Sequence, residues 1–328
     1  MTRNILLIQV DGKLPNLALM RLSAYHKKNG DNVSLTRSVR RDLFNLDADM
    51  VYASAIFKFS DARLERLKKE WPNAIIGGTG ANDNQTLEQI VPNIPVEYDY
   101  SPYPNYKFSI GFLQRGCRLK CKFCVVPQKE GKPRQEMTVA QLWRGGGHPK
   151  KLHILDNDFF GVPGWHDHIR DIREGGFKVC LNQGINVRMI NDEAAEALAS
   201  IEYRDDQFQQ RRIYTAWDNI GQRDIFMRGM DTLEKAGIPP KHVMAYMLIG
   251  YDKRENWETI IDRFDAMKDR GISPYPMVYE NRTYDGDHRT LKHFQRWALR
   301  LSQSGAIKWS DYDPKIRSKS AAVVGVPF

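Results

Sequence analysis

Cysteine is scarce in this chain: there are four in 328 residues, and three of them fall within eight positions. That count and clustering exclude a disulfide-stapled secreted scaffold. Long hydrophobic runs are also missing. The longest apolar stretches are strand-sized, and the tail Ala321–Phe328 is too short to span a bilayer. The apolar run Asn4–Val10 has neither the length nor the flanks of a secretory signal. No low-complexity tract interrupts a composition of 41% hydrophobic and 27% charged residues, so a disordered chain is excluded as well. The expectation is a cytoplasmic protein, kept reduced and not membrane-bound, with room for one large α/β domain or two ordinary ones.

What is present is an uneven excess of positive charge. The formal net charge is +9, yet residues 1–110 are close to balance, with 14 Lys/Arg against 12 Asp/Glu. Residues 115–134 carry Arg115, Arg118, Lys120, Lys122, Lys129, Lys132 and Arg134 against Glu130 alone. Residues 283–328 add a second surplus of four. Such a field draws an anionic cluster, cofactor or substrate, nucleic acid among them; a solvated basic surface has the same composition.

Periodicity divides the chain into three regions. In residues 1–100, apolar runs at Asn4–Val10, Asn32–Leu35, Met50–Phe57 and Ala74–Ile76 alternate with helical patterns from Pro15 to Asn29 and from an expected cap at Ser60 to Pro72. This reads as a small doubly wound, Rossmann-like domain. After a Tyr- and Pro-rich stretch at 98–106 the alternation restarts. Strands are predicted at Lys107–Leu113, Lys151–Leu155, Phe177–Leu181, Arg211–Trp217, His242–Ile249 and Tyr275–Tyr279. Helices are predicted from Thr138, from the cap Asn191, and over Glu255–Met267. Six βα units with right-handed crossovers curl into a partial (β/α)6 TIM-like barrel over residues 101–285, with 286–328 as a helix and tail that close it.

Chemistry concentrates in Arg115-Gly116-Cys117-Arg118-Leu119-Lys120-Cys121-Lys122-Phe123-Cys124. Three thiols spaced x3 and x2 wrap a short loop so that all the sulfurs can address one centre. On a tetrahedral zinc they leave one vacancy for His148 or His153, neither at finger spacing. On a four-iron, four-sulfur cluster they leave one iron without a protein ligand, open to a chelating small molecule. The loop follows the first predicted barrel strand, the end at which such barrels carry their active sites.

Cys117-x3-Cys121-x2-Cys124, with aromatic Phe123 before the last thiol, resembles the signature of the radical S-adenosylmethionine (SAM) superfamily. The resemblance covers roughly residues 107–280. It implies a [4Fe-4S] cluster held by Cys117, Cys121 and Cys124, and a free iron that binds the amino and carboxylate groups of SAM. It also implies a one-electron donor such as flavodoxin or ferredoxin. Reductive cleavage would give methionine and a 5′-deoxyadenosyl radical that takes hydrogen from an unactivated C–H bond. Further SAM contacts are expected at the strand ends. Asp156-Asn157-Asp158 stands where a Gly-Gly-Glu-like element usually meets the ammonium. Asn182 and Gln183 are placed as ribose partners, Arg188 as a carboxylate partner, and Asp218 at the end of the fourth strand. Gly250 falls where adenine rests on a strand edge. Tyr251, Tyr279 and Glu280 end the fifth and sixth strands on the substrate side, where a purely structural strand-end role is the competing reading.

Cysteine arithmetic narrows the relatives. Beyond the motif only Cys180 remains, so a second cluster bound by three or four thiolates is excluded, and methylthiotransferase-type enzymes with it. An α/β unit ahead of the barrel also resembles the cobalamin-binding members, in which a Gly-Gly turn like Gly77-Gly78 admits the corrinoid's nucleotide tail. The Asp-x-His-x-x-Gly element of some members is absent. A cobalamin-dependent methyltransferase is therefore the alternative function, and a nucleic-acid-binding module with a structural metal is the second alternative. Cys180 itself, between Val179 and Leu181, reads as a buried small hydrophobe or else a hydrogen donor. His166 and His168 read as surface. Trp297 and Trp309, among Arg296, Arg300 and Lys308, read as the core face of the closing helix or as a base-stacking track.

Overall fold

The computed structural model describes residues 2–42, 47–81, 85–279, 287–300 and 307–314. The chain divides into two compact units, one formed by Met1–Lys107 and a second that starts at Phe108. Both are α/β with parallel sheets. Among the described residues no helix is long and apolar enough to cross a membrane.

The first unit contains β1 (Asn4–Gln9), α1 (Leu17–Lys28), β2 (Asn32–Thr36), β3 (Met50–Ser54), α2 (Asp61–Glu70), β4 (Ile75–Gly77) and the short α3 (Leu87–Ile90). Its sheet runs β2-β1-β3-β4, all pairs parallel. Alternate residues of β1 go to opposite faces, as a strand buried on both sides requires. Leu6 and Ile8 pack with Leu64 and Leu67 of α2, while Ile5 and Leu7 pack with Leu19 and Leu22 of α1. Asn16 caps α1 through its side chain. Ser60 does not cap α2 as expected; its hydroxyl donates instead to Asp11, from within the protein.

The second unit opens with β5 (Ser109–Gly111) and β6 (Gln114–Arg115), then α4 (Val126–Lys129), β7 (Arg134–Gln135) and the single-turn α5 (Val139–Leu142), whose capping box is set by Thr138. It continues through β8 (Lys151–Ile154), α6 (Trp165–Glu174), β9 (Lys178–Cys180), α7 (Asp192–Ala199) and β10 (Glu202–Tyr203). The remainder is β11 (Ile213–Ala216), α8 (Arg223–Lys235), β12 (Val243–Ile249), α9 (Trp257–Asp269), β13 (Ser273–Val278) and α10 (His288–Arg300). Every strand predicted beyond residue 100 is present, mostly shortened; the two-residue β6, β7 and β10 were not anticipated, because two residues carry no periodic signal.

These strands form two parallel sheets, β10-β9-β8-β5 and β11-β12-β13. The Ile185 N–H, just past β9, donates to the Tyr214 carbonyl of β11 at 2.8 Å. Side chains from both sheets share one interior cluster of Cys180, Phe208, Tyr214, Tyr246 and Tyr275. Cys180 is thus a fully buried apolar filler, as expected, and burial pushes its thiol well up. Outer helices cover the sheets with aromatic faces. Phe264 of α9 and Phe294 and Trp297 of α10 pack at ring-centroid distances of 5.3–5.5 Å. Burying each such ring is worth roughly 1.5–3 kcal/mol. Trp297 therefore belongs to the core and is closed to a stacking base, whereas Trp309 is half-buried against Trp257. His168 departs from the surface reading: it lies on the apolar face of α6, 1% exposed, while His166 is exposed beside Glu193.

Candidate functional site

The cysteine loop is bracketed by β6 and β7, which pair antiparallel with Gln114 opposite Gln135 and Arg115 opposite Arg134. At this loop a cavity of about 180 Å³ opens, lined by Cys117, Cys121, Phe123 and Cys124. The lining also includes Asn157 from beyond β8, Gln183, Asn186 and Arg188 from beyond β9, and Asp218 from beyond β11. The segments that follow β8, β9 and β11 lie at the C-terminal edges of parallel strands.

Each motif sulfur accepts one N–H. The Leu119 backbone donates to Cys117 Sγ at 3.4 Å, the Val126 backbone to Cys124 Sγ at 3.5 Å, and the Arg188 guanidinium to Cys121 Sγ at 3.8 Å. Burial pushes the Cys117 and Cys124 thiols up in the free protein; a bound metal reverses that by taking the thiolate. Among the described residues no three His, Cys, Asp or Glu side chains are gathered as ligands of one ion. The donor set, three thiols with an N–H at each sulfur, fits a four-iron, four-sulfur cluster. The two histidines considered for a zinc do not reach the cavity. His148 is exposed, and His153 is buried between Phe108 and Phe208 with its Nε2 on the Asp206 carbonyl, where burial lowers its pKa to about 4.

The segment after β8 divides its labour. Asn157 lines the cavity. Asp156 does not: its two oxygens accept the Leu113 and Gln114 backbone N–H groups at 2.8 and 3.0 Å. Asp158 also turns away, into a bidentate contact with Arg118. These carboxylates thus tether the cysteine loop, and neither lines the cavity in which the sequence expectation placed them beside an ammonium. Burial raises Asp156 to about 8, against the pull of its two N–H donors. Glu130 completes the brace, accepting from Gly116 N–H at 3.0 Å, Asn157 at 3.2 Å and Arg115 at 3.4 Å. Sequence reasoning missed it as a functional residue, although its standing as the lone acid in a basic stretch was the signal.

Of the other expected residues, Gln183, Arg188 and Asp218 reach the cavity. Arg188 also donates to Gln222 at 3.0 Å. Asp218 accepts the Leu248 N–H at 3.1 Å; burial raises its pKa against the opposing pull of Arg188 and Arg263. Asn182 is 5% exposed, its carbonyl accepting from Tyr246. Gly250 donates its N–H to Glu255. Tyr251 and Tyr279 meet edge to face at 4.9 Å, and Phe123 stands edge-on to Tyr251 at 5.3 Å, so the cysteine loop touches the end of β12. Glu280 lies outside the described residues. Gly77 ends β4 in the first unit and Gly78 follows it. A second missed residue is Arg263, wholly buried on α9, which donates to the Trp217 and Leu248 carbonyls at 2.9 Å and to Glu255. An arginine among Ile260, Phe264 and Met267 was the cue.

No family model matches this chain, and no curated protein matches it. A solved structure, an amidohydrolase from Burkholderia multivorans with bound zinc, is similar over 95% of this chain and 97% of its own length, at 9% identity and a TM-score of 0.28. A likeness that low carries no argument about fold or activity.

Proposed function

We propose that this chain is a radical SAM enzyme whose second unit is a partial (β/α)6 TIM-like barrel behind a Rossmann-like first unit. The observation that carries the proposal is the cavity wall. Three thiols in x3 and x2 spacing, each sulfur accepting an N–H, line one cavity together with polar groups that follow β8, β9 and β11. Cys117, Cys121 and Cys124 would hold a [4Fe-4S] cluster. When bound, the cluster supplies the electron that splits SAM into methionine and a 5′-deoxyadenosyl radical, given a one-electron donor such as flavodoxin or ferredoxin.

The chain's own residues then act by position and charge. Arg188 sets a cation and an N–H against Cys121 Sγ, which stabilises negative charge on that sulfur and raises a cluster's potential. Gln183 and Asn157 offer amides to a polar ligand, and Asp218, the carboxylate in the wall, is placed to receive an ammonium or hydroxyl. Phe123 and Tyr251 put aromatic bulk beside the sulfurs and keep water from that side. The substrate would be one with an unactivated C–H bond.

Anaerobic reconstitution with iron and sulfide tests this reading. The expected result is a reduced cluster whose electron paramagnetic resonance signal changes on adding SAM, with formation of 5′-deoxyadenosine. Cys124→Ala should abolish cleavage and leave the fold intact, and Cys180→Ala should retain the cluster. Zinc in place of iron, or a cluster indifferent to SAM, would overturn the assignment.

A further inference from the structure

The first unit has the strand order β2-β1-β3-β4, so the chain leaves β1 in one direction and β3 in the other. In open parallel sheets the crevice beyond the carboxyl ends of two such strands is where ligands bind. Here that crevice is filled by the protein itself. Asp11, two residues past β1, reaches the loop after β3: its oxygens accept the Ile56 N–H at 2.8 Å, the Phe57 N–H at 3.0 Å and the Ser60 hydroxyl at 2.6 Å. Two backbone N–H groups and a hydroxyl converging on one carboxylate form the cradle that an anionic group of a nucleotide would otherwise occupy.

The glycine turn is accounted for in the same way. Gly78 has φ +100°, and a Cβ there would lie 2.2 Å from the Ala55 carbonyl oxygen; one on Gly80 would lie 2.3 Å from that of Phe57. Gly80 N–H donates to Ala55 O at 2.9 Å, and Ala55 N–H to Gly77 O at 3.0 Å. Gly78 and Gly80 thus admit the neighbouring β3 loop, while a Cβ on Gly77 would meet nothing within 4 Å. His26, the sole histidine of residues 1–107, is 1% exposed and bonded to Asp31 at 2.8 Å, so it is not free to ligate a cobalt. The residues present do not fit a corrinoid.

We propose that Asp11 is a built-in anion which plugs the switch-point crevice, so that the first unit binds no corrinoid or other nucleotide-tailed cofactor and the cysteine-loop chemistry proceeds without one. The plug itself stands on first-unit geometry alone and does not depend on the cluster assignment.

The full-length protein is incubated anaerobically with hydroxocobalamin, desalted and read by visible absorbance. In parallel, thermal midpoints of the parent, Asp11→Ala and Asp11→Asn are measured with and without sodium formate, against sodium chloride at equal ionic strength. No corrinoid should be retained by the parent. Asp11→Ala should melt several degrees lower and regain part of that loss in formate, which refills the cradle, while the parent gains nothing. Asp11→Asn, which keeps the shape and one acceptor, should fold even if the alanine variant does not, and should melt below the parent. Stoichiometric corrinoid on the parent, or an asparagine variant as stable as the parent, would overturn the plug. Iron content and SAM cleavage in the same preparations report separately on the proposed function.

Discussion

Asp158 holds Arg118 at three points: its carboxylate accepts from Nε at 2.8 Å, from Nη2 at 2.9 Å and from the backbone N–H at 3.0 Å. Arg118 follows the first motif thiol, so this contact fixes the direction in which the cysteine loop leaves Cys117. The carboxylate is 1% exposed and the arginine 31%, so the pair is only partly screened by solvent. Asp158→Asn keeps the volume and loses the charge. It should cost about 1–3 kcal/mol, the penalty for under-satisfying charged donors, and should lower iron retained per chain after reconstitution. Unchanged melting and unchanged iron would show that the loop is held by other means.

Asp156 gives stability an unusual pH dependence. Burial raises its native pKa from 3.8 to about 8, so the folded state holds the proton more tightly than the unfolded chain. Its contribution is complete below about pH 4 and is lost as pH rises through about 8, with a slope of at most about 1.4 kcal/mol per pH unit. Asp156→Asn removes the titration but turns its amide NH2 toward one of the two backbone N–H groups that the carboxylate accepts. The variant should be less stable than the parent in acid, and the gap should narrow toward pH 8. Urea titrations at several pH values check this, and parallel curves would contradict it.

The buried pair on α9 should behave as a unit. Arg263→Ala leaves Glu255 buried beside Gly250 without its cation, a loss of roughly 3–5 kcal/mol. Arg263→Met combined with Glu255→Gln should recover only part of that, since Gln can still accept the Gly250 N–H while the Trp217 and Leu248 carbonyls lose the arginine donor. A double-mutant cycle with strictly additive costs would mean that the two side chains act independently.

Gly229→Ala should reverse the usual sign. In an exposed helix interior the change gains about 1 kcal/mol. On α8 the new Cβ would meet the Val187 carbonyl oxygen at 2.1 Å and Val187 Cγ2 at 2.7 Å. That turn carries Arg188, so the variant should melt lower and show a shifted cluster potential once reconstituted. A higher melting temperature would mean that α8 can slide away at no cost.

The three thiols, the strand–helix alternation and the caps at Thr138 and Asn191 were all legible in the sequence. Glu130 and Arg263 were visible only as oddities of composition, an acid among bases and a base among apolar residues, with nothing to say what they touch. Three of the misplaced readings share one origin. Asp156, Asp158 and Ser60 were judged from their position at a strand or helix end, and each takes a partner about 40 or more residues away.

The sequence by itself determined where the elements lie and where sulfur gathers, because side-chain periodicity, capping and thiol spacing act between near neighbours and survive any later arrangement. Only the tertiary structure decided which carboxylates face a cavity and which tie loops down. That choice belongs to groups brought together by sheet register, and a buried oxygen takes whichever N–H the neighbouring strand presents, since leaving that donor unpaired costs more than any local preference can offset.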